Sequence, residues 1–431
     1  MSSQYKTVAF YTLGCKLNFS ETSTISKDFS NVGFKQVSYK ETADIYVLNT
    51  CSVTENADKE ARKLIRQAKK RNPNSIMAVM GCYAQLKPNA ISQIEGVDIV
   101  LGANEKFNLI DYLDGLKLNT NKKVISSKIE KVDNFIPSYS LGERTRSYLK
   151  VQDGCNYTCS FCTIPLARGK SRSNSIEETI KVAKELTKKN IREIVLTGIN
   201  IGDFGTNRHE TFYDLIKKLD KLNYIDRLRI SSIEPNLLSD AIIEFCAESK
   251  KFMPHFHIPL QSGSNKILSL MKRRYKKELY KSKINRVKSF LPDSSIGVDV
   301  MVGFPGESEQ EFLKTYRFLN NLDISYLHVF TYSERNNTKA LNYKDVVSKN
   351  ERANRSKMLR ILSQKKKRSF YKKFVNTTRP VLFESIKNNR VIGHTDNYLK
   401  VEVDGNKNII NTIKTVKLTK MKDQTLIGEL V

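Results

Sequence analysis

Short apolar runs and amphipathic stretches alternate along the first part of the chain. Thr7–Leu13, Ala43–Asn49, Ser75–Met80 and Val97–Leu101 read as strands. Ser20–Val32, with Asn18 or Ser20 as N-cap, and the strongly charged Asn56–Asn72 read as helices, and Pro88 opens a shorter one. This alternation predicts an α/β fold class, beginning with a doubly wound α/β domain over residues 4–118. Residues 119–140 are polar and lysine-rich and read as a linker with a short strand or two. Within 141–374 the strand-then-helix pattern repeats, with strands at Ser147–Val151, Glu193–Leu196, Leu228–Ser231, His255–Pro259, Gly297–Met301 and Tyr326–Phe330. Six such units predict an open (βα)6 partial barrel, whose chemistry sits at the carboxyl ends of the strands. Lys349–Lys373 is a basic helix containing KKKR; such a run is usually a solvated face, and near RNA it would meet phosphates. The period then drops to two. Five alternating segments in 375–431 predict a small, OB-like β-barrel, with Val403–Asn406 (VDGN) as a hairpin turn.

Charge adds a partner to this outline. The 431 residues hold 73 basic and 45 acidic side chains, a net charge of +28. That excess points to a polyanion, with nucleic acid first, although a lysine-rich composition accounts for part of it. No apolar run approaches the roughly 18 residues of a membrane span, and no secretory pattern opens the chain. Seven cysteines, at metal-like positions with one left over, do not read as a disulfide framework. A cytoplasmic protein without membrane contact is expected.

The cysteines bring the chemistry. Cys155, Cys159 and Cys162 stand at C-x3-C-x2-C spacing in VQDGCNYTCSFCTIPLARGKSR. Three thiolates this close, with no evident fourth ligand, suit a four-iron cluster with one open iron; half of a zinc site is the competing reading. Cys15, Cys51 and Cys82 each follow one of the first three predicted strands. In an open α/β sheet those positions converge at one edge, which makes a second three-thiolate site. The competing reading is three unrelated buried cysteines. Cys246 lies on an apolar helix pattern and reads as core. His255 and His257 alternate in a strand and read as packed or hydrogen-bonded. Arg168, Lys170 and Arg172 would balance a cluster's charge, hold a phosphate, or simply face solvent.

The cysteine spacing, with Phe161 before the last thiol, resembles the radical S-adenosylmethionine (SAM) enzymes. The resemblance implies SAM contacts at the strand ends: Gly198 and Asn200, Ser232 and Glu234, Gln261 and Ser262, and Gly303 with Phe304 and Gly306. Turn chemistry alone would also put such residues there. With the dispersed triplet and the β-rich tail, the whole chain resembles the radical SAM methylthiotransferases. The blocks TLGCKLNFSET, NTCSVT, GCYAQ, IVLTGIN, HFHIPLQSGSNKIL, RRY and VGFPGE carry that likeness. GCKLN, HVFTYS and GHTDNYLKV point to the branch acting on tRNA N6-threonylcarbamoyladenosine. The branches acting on isopentenyladenosine or ribosomal protein S12 typically read GCQMN or GCPKN at the first block.

That family implies two 4Fe-4S clusters, on Cys15, Cys51 and Cys82 and on Cys155, Cys159 and Cys162, with two SAM used per product. One SAM methylates a sulfur on the first cluster; the other yields a 5′-deoxyadenosyl radical at the second. The methylthio group goes to carbon 2 of the modified adenosine beside the anticodon. The implied partners are a tRNA anticodon stem-loop, held by a TRAM-like tail, a flavodoxin- or ferredoxin-like reductant and a sulfur donor. A non-catalytic RNA-binding iron–sulfur sensor is the reading from another class. The sequence departs from the family at SERNNTKA, where Asn337 replaces an expected glycine; Asn tolerates left-handed backbone, so the turn is expected to survive.

Overall fold

The computed structural model describes residues 6–51, 55–116, 123–141 and 145–431. The expected domain limits at residues 4 and 118, the start of the linker, and Ser52–Thr54 of the NTCSVT block lie outside them. The chain forms two compact units. The first takes the described residues of Met1–Gly142 with Tyr148–Thr158 and Cys162–Asn174. The second takes those of Glu143–Ser147 with Cys159–Phe161 and Ser175–Val431.

Among the described residues the first unit is organised on six strands: β1 (Thr7–Thr12), β2 (Lys35–Val37), β3 (Ile45–Thr50), β4 (Ile76–Gly81), β5 (Ile99–Leu101) and β6 (Lys123–Ile125). They run parallel in the order β2-β1-β3-β4-β5-β6. Every residue of β3 and β4 is buried, as expected where helices cover both faces of a sheet. Alternate side chains feed two cores. Ala9, Tyr46, Leu48 and Met77 pack with Ala61 and Ile65 of the charged helix Glu55–Arg71. Val8, Ile45 and Val47 pack with Ile25, Phe29, Leu109 and Leu113.

Two expectations are corrected here. The first helix runs Lys16–Asn31 with Cys15 as N-cap, not from Asn18 or Ser20. Asn18 is spent elsewhere: its amide donates to Leu13 O at 2.8 Å and Thr50 O at 3.1 Å, joining the ends of β1 and β3. Strand β2 was missed because its side chains are exposed or half-buried and give no apolar alternation.

The chain passes through β7 (Arg146–Lys150), the short pair β8 (Gln152–Asp153) and β9 (Arg172–Ser173), then enters the second unit. There β10 (Glu193–Thr197) and β11 (Arg227–Ile230) pair in parallel, and β12 (His255–His257), β13 (Ser295–Val302) and β14 (Tyr326–Thr331) form a second parallel sheet. A bridge between Ser232 and His257 joins β11 to β12, so that the five strands β10 to β14 of the second unit form an open parallel wall, as in a partial barrel. Six of its helices are started by hydroxyl caps: Ser175, Thr211, Ser239, Ser264, Ser308 and Ser348 each accept a backbone N–H of the first turn.

The tail closes as a five-strand barrel from β15 (Thr378–Lys387), β16 (Arg390–Thr395), β17 (Lys400–Asp404), β18 (Ile413–Lys422) and β19 (Thr425–Leu430), in the order β15-β16-β17-β19-β18. VDGN is not a hairpin. After Asp404 the chain makes a 3-10 turn and β18 pairs with β15 and β19, while β17 pairs with β16 and, in parallel, β19. Barrel closure overrides the local turn signal. A tight hairpin occurs instead at Asn388–Asn389, both left-handed, between β15 and β16. The tail is anchored by charge. Arg227 donates to Pro380 O and His394 O, and Arg229 to Asp396 O and to both oxygens of Glu193. Tyr398 of the GHTDNYLKV block stacks on His255 at 4.5 Å and His394 at 4.8 Å, with the Arg229 guanidinium 4.9 Å from its ring.

Candidate functional site

Cys15, Cys51 and Cys82 stand at the carboxyl ends of β1, β3 and β4. Two of the three follow a left-handed glycine, Gly14 (φ +97°) and Gly81 (φ +98°). A Cβ on Gly14 would lie 2.6 Å from Cys51 Cβ and 2.9 Å from its Sγ. A Cβ on Gly81 would meet Thr50 O at 2.4 Å. Glycine at both positions therefore lets the strand ends close on one another. Hydrogen bonds staple them: Asn18 ties β1 to β3, and Thr50 Oγ1 donates to Met80 O at 2.6 Å, tying β3 to β4. Cys51 and Cys82 are buried, and Cys15 is exposed. The set offers thiols without imidazole or carboxylate ligands, which is the donor chemistry of an iron–sulfur cluster.

Beside these cysteines lies a buried ion-pair network. Glu21 is 0% exposed and pairs with Lys106 at 2.6 Å, Arg168 at 3.0 Å and Lys150 at 3.2 Å. Asp153 pairs with Lys150 at 2.9 Å, Arg168 at 3.0 Å and Arg172 at 3.2 Å. Burial alone would raise the Glu21 carboxyl, but Arg168, Lys106 and Lys150 outweigh it and hold Glu21 below the ordinary carboxylate range. Asp153 is held down in the same way by Lys150, Arg168 and Arg172.

The cysteine loop is locally self-supporting. Cys155 N donates to Gly169 O at 3.0 Å, Tyr157 N to Cys155 Sγ at 3.4 Å, and Ile164 N to Cys162 Sγ at 3.4 Å. The three thiols are half-buried. In the second unit Arg273 donates to Cys159 Sγ at 3.2 Å, and its other nitrogens reach Tyr275 Oη at 3.1 Å and the Glu234 carboxylate. Burial pushes the Cys159 thiol up and Arg273 opposes it. Phe161 packs edge-on to Phe304 at 6.3 Å, in an apolar group with Met271, Tyr332 and Ala340.

The remaining strand-end residues differ in what they leave free. Glu234 is engaged by Arg273. The Asn200 amide donates to Asp203 at 2.9 Å. Ser262 is fully buried, and its hydroxyl is engaged with Thr315 Oγ1 at 3.1 Å, so it shapes the loop rather than lining it. Gln261 is left-handed (φ +69°) and hydrogen-bonded through its backbone to Asp299 and Met301. Gly303 (φ +75°) donates its N–H to Glu307, and a Cβ there would lie 2.2 Å from Arg352 Cγ. Gly198 is half-buried after β10, and Ser232 is half-buried at its bridge to His257. Asn337 is left-handed (φ +65°), as its sequence allows. Cys246 is core at 3% exposure. His255 and His257 are hydrogen-bonded to Tyr326 and Asp299, at 2.8 and 2.7 Å. His257, Asp299 and His328 also bring three donor atoms within 4.8 Å of one another.

Sequence reasoning missed Arg273 and Tyr275, although the RRY block contains both, and it missed Glu21, Lys106, Lys150 and Asp153. No periodic signal marks them, because their partners lie far away in the chain. Part of the basic helix is also spent structurally: Lys366 Nζ donates to Asn320 O and Leu322 O, both at 2.6 Å.

Comparison with known proteins gives three family matches. Residues 7–102 match the "Uncharacterized protein family UPF0004", residues 149–319 the radical SAM superfamily, and residues 372–431 the TRAM domain. A Bacillus subtilis protein named threonylcarbamoyladenosine tRNA methylthiotransferase MtaB is 40% identical over 96% of this chain and 94% of its own. An Aquifex aeolicus protein of the same name is 39% identical over 95% and 99%. Among solved structures, the radical SAM methyltransferase TsrM of Kitasatospora setae, with cobalamin and a 4Fe-4S cluster bound, superposes with a TM-score of 0.58 at 12% identity, over 78% of this chain and 77% of that one. That likeness concerns the fold. Among the described residues no helix is long and apolar enough to cross a membrane.

Proposed function

This chain belongs to the radical SAM threonylcarbamoyladenosine tRNA methylthiotransferases, and from that membership we propose what each of its parts does. The protein is a transferase that places a methylthio group on carbon 2 of N6-threonylcarbamoyladenosine in tRNA. Cys155, Cys159 and Cys162 hold one 4Fe-4S cluster, and Cys15, Cys51 and Cys82 hold a second. When bound, the clusters and SAM would supply the one-electron chemistry and the methyl of the product. The observation that carries the two-cluster assignment is the stapling of three cysteine-bearing strand ends in a chain that also has the C-x3-C-x2-C loop.

The chain's own residues bind, orient and exclude water. Arg273 donates to the Cys159 sulfur and is itself held by Glu234 and Tyr275. Phe161, Phe304 and Met271 keep water from that side of the loop. Gly198, Asn200, Ser232, Glu234, Gln261 and Gly303 line the strand ends against SAM, with Ser262 as support. The five-strand tail binds the anticodon stem-loop, and each phosphate neutralised steepens the log–log salt dependence by about 0.7 to 0.9. A flavodoxin- or ferredoxin-like protein brings electrons, a separate donor brings sulfur, and the reaction belongs in the cytoplasm.

Deletion of the gene followed by mass spectrometry of tRNA nucleosides tests the assignment. Loss of the methylthio form of threonylcarbamoyladenosine is expected. Unchanged levels, or loss of the isopentenyl form instead, would overturn the substrate. Absence of 5′-deoxyadenosine from reduced protein given SAM would favour a non-catalytic sensor.

A further inference from the structure

Arg168 is 3% exposed. A guanidinium has five N–H donors. Four of them have partners here. Nη1 donates to Glu21 and Asp153, both at 3.0 Å, and Nη2 to Asn18 at 2.6 Å and Glu21 at 3.2 Å. The fifth, on Nε, is buried and has no partner among the described residues. An unmet buried donor is costly, and more so on a charged group. Such a group in an otherwise fully bonded network asks for a ligand.

The surrounding charge asks for the same thing. Among the described residues the ion pairs connect four cations, Lys106, Lys150, Arg168 and Arg172, to two carboxylates, Glu21 and Asp153. The six side chains are at most 10% exposed, so two positive charges are left over where solvent cannot compensate them well. Cys82 and Cys15 lie near the buried Arg168 guanidinium, as the two carboxylates do. As thiols these cysteines are neutral and offset nothing. Three thiolates around a doubly positive four-iron core carry one net negative charge, and two after one-electron reduction. The leftover charge therefore matches the reduced cluster.

We infer that Arg168 is a positioning residue for an iron–sulfur cluster on Cys15, Cys51 and Cys82: its Nε–H donates to a sulfur of that cluster, and its charge raises the cluster's reduction potential. The inference rests on the reading that those three cysteines hold a cluster. It also links the two cysteine sites. Arg168 ends the short helix Ile164–Arg168, whose first N–H is the one donated to Cys162 Sγ. One helical turn and a half thus separates a ligand of the radical-generating site from the support of the other.

The test is a redox titration, followed by electron paramagnetic resonance, of the full-length chain reconstituted anaerobically, as wild type, Arg168→Lys and Arg168→Gln. Wild type is expected to hold about eight irons and to show two titrating clusters. Arg168→Gln should move one cluster to lower potential, or lose it and fall to about four irons while still cleaving SAM. Arg168→Lys keeps the charge but lacks the Nε–H, and should give a smaller shift in the same direction. If Arg168→Gln fails to fold, as checked by circular dichroism, Arg168→Lys decides. Eight irons with neither potential moved, or both clusters moved equally, would overturn the role of Arg168 and leave the two-cluster reading standing. Four irons in wild type would overturn both.

Discussion

The two cysteine triplets solve one problem by opposite means. Cys155, Cys159 and Cys162 are neighbours in sequence, and the loop that presents them is held by hydrogen bonds to its own sulfurs. Cys15, Cys51 and Cys82 are neighbours only because parallel strands end together, with glycines and side-chain staples closing the gap. Their electrostatics differ as much. Among the described residues Cys159 accepts from the cation Arg273, itself paired with Glu234. The dispersed triplet lies beside a buried network with more cations than anions. A local triplet needs little from the fold beyond a place. A topological one needs the sheet, the turns and a charge environment.

The comparison breaks most visibly when each triplet is removed in turn. Alanine at Cys155, Cys159 and Cys162 should abolish 5′-deoxyadenosine formation and methylthio transfer together. Alanine at Cys15, Cys51 and Cys82 should abolish methylthio transfer but leave SAM cleavage by the reduced protein, and each variant should retain about four of eight irons. Loss of SAM cleavage from the second variant, with its fold intact, would mean that the two sites do not divide the chemistry.

Glu21→Gln comes next in size. Removing one member of a buried ion cluster leaves its partners uncompensated, at a cost of about 3–5 kcal/mol. The sign with pH follows from the depressed Glu21 carboxyl. Its contribution is complete above the ordinary carboxylate pKa, about 4.3 in an unfolded chain, and is lost as pH falls toward the native value. Urea midpoints of the metal-free chain at pH 7 and pH 3 should therefore differ less in Glu21→Gln than in wild type. Some acid sensitivity should persist, because Glu193, held at about 2 against its own burial by Arg229, Arg146 and Arg227, loses its contribution over a similar window. Equal pH dependence in wild type and variant would remove the network from the account of stability.

Much of this was legible beforehand, and the exceptions share a cause. Cysteine spacing encodes a compact three-thiol loop directly, and the strand-end positions of the dispersed triplet follow from the α/β alternation. Asn337 is left-handed as its residue type permits. What misled was local grammar overruled by distant contacts. Asn18 looks like an N-cap but bridges two strands. VDGN looks like a hairpin, but the closing barrel sends the chain across to β15. Lys150 in RSYLK and Glu21 in FSETS look like ordinary surface charges, yet both are buried and paired across the first unit.

Arg273 gives the smallest effect and the sharpest contrast. It reaches Cys159 from far along the chain and is the cation that donates to a sulfur of the loop site among the hydrogen bonds described. Arg273→Lys keeps the charge but cannot reproduce a fork that serves Cys159, Tyr275 and Glu234 together. Outer partners of metal ligands typically contribute 10- to 100-fold in affinity or activity. SAM cleavage without tRNA should fall by about that factor, while the spectrum of the cluster on Cys15, Cys51 and Cys82 stays as in wild type. Arg168→Lys should show the reverse: a shifted N-terminal cluster and near-normal SAM cleavage. If either variant disturbs both sites alike, the two triplets share one electrostatic environment and the contrast between local and topological chelation ends at the backbone. If each disturbs only its own site, the fold has given the two clusters separate guanidinium partners, and each can be tuned without the other.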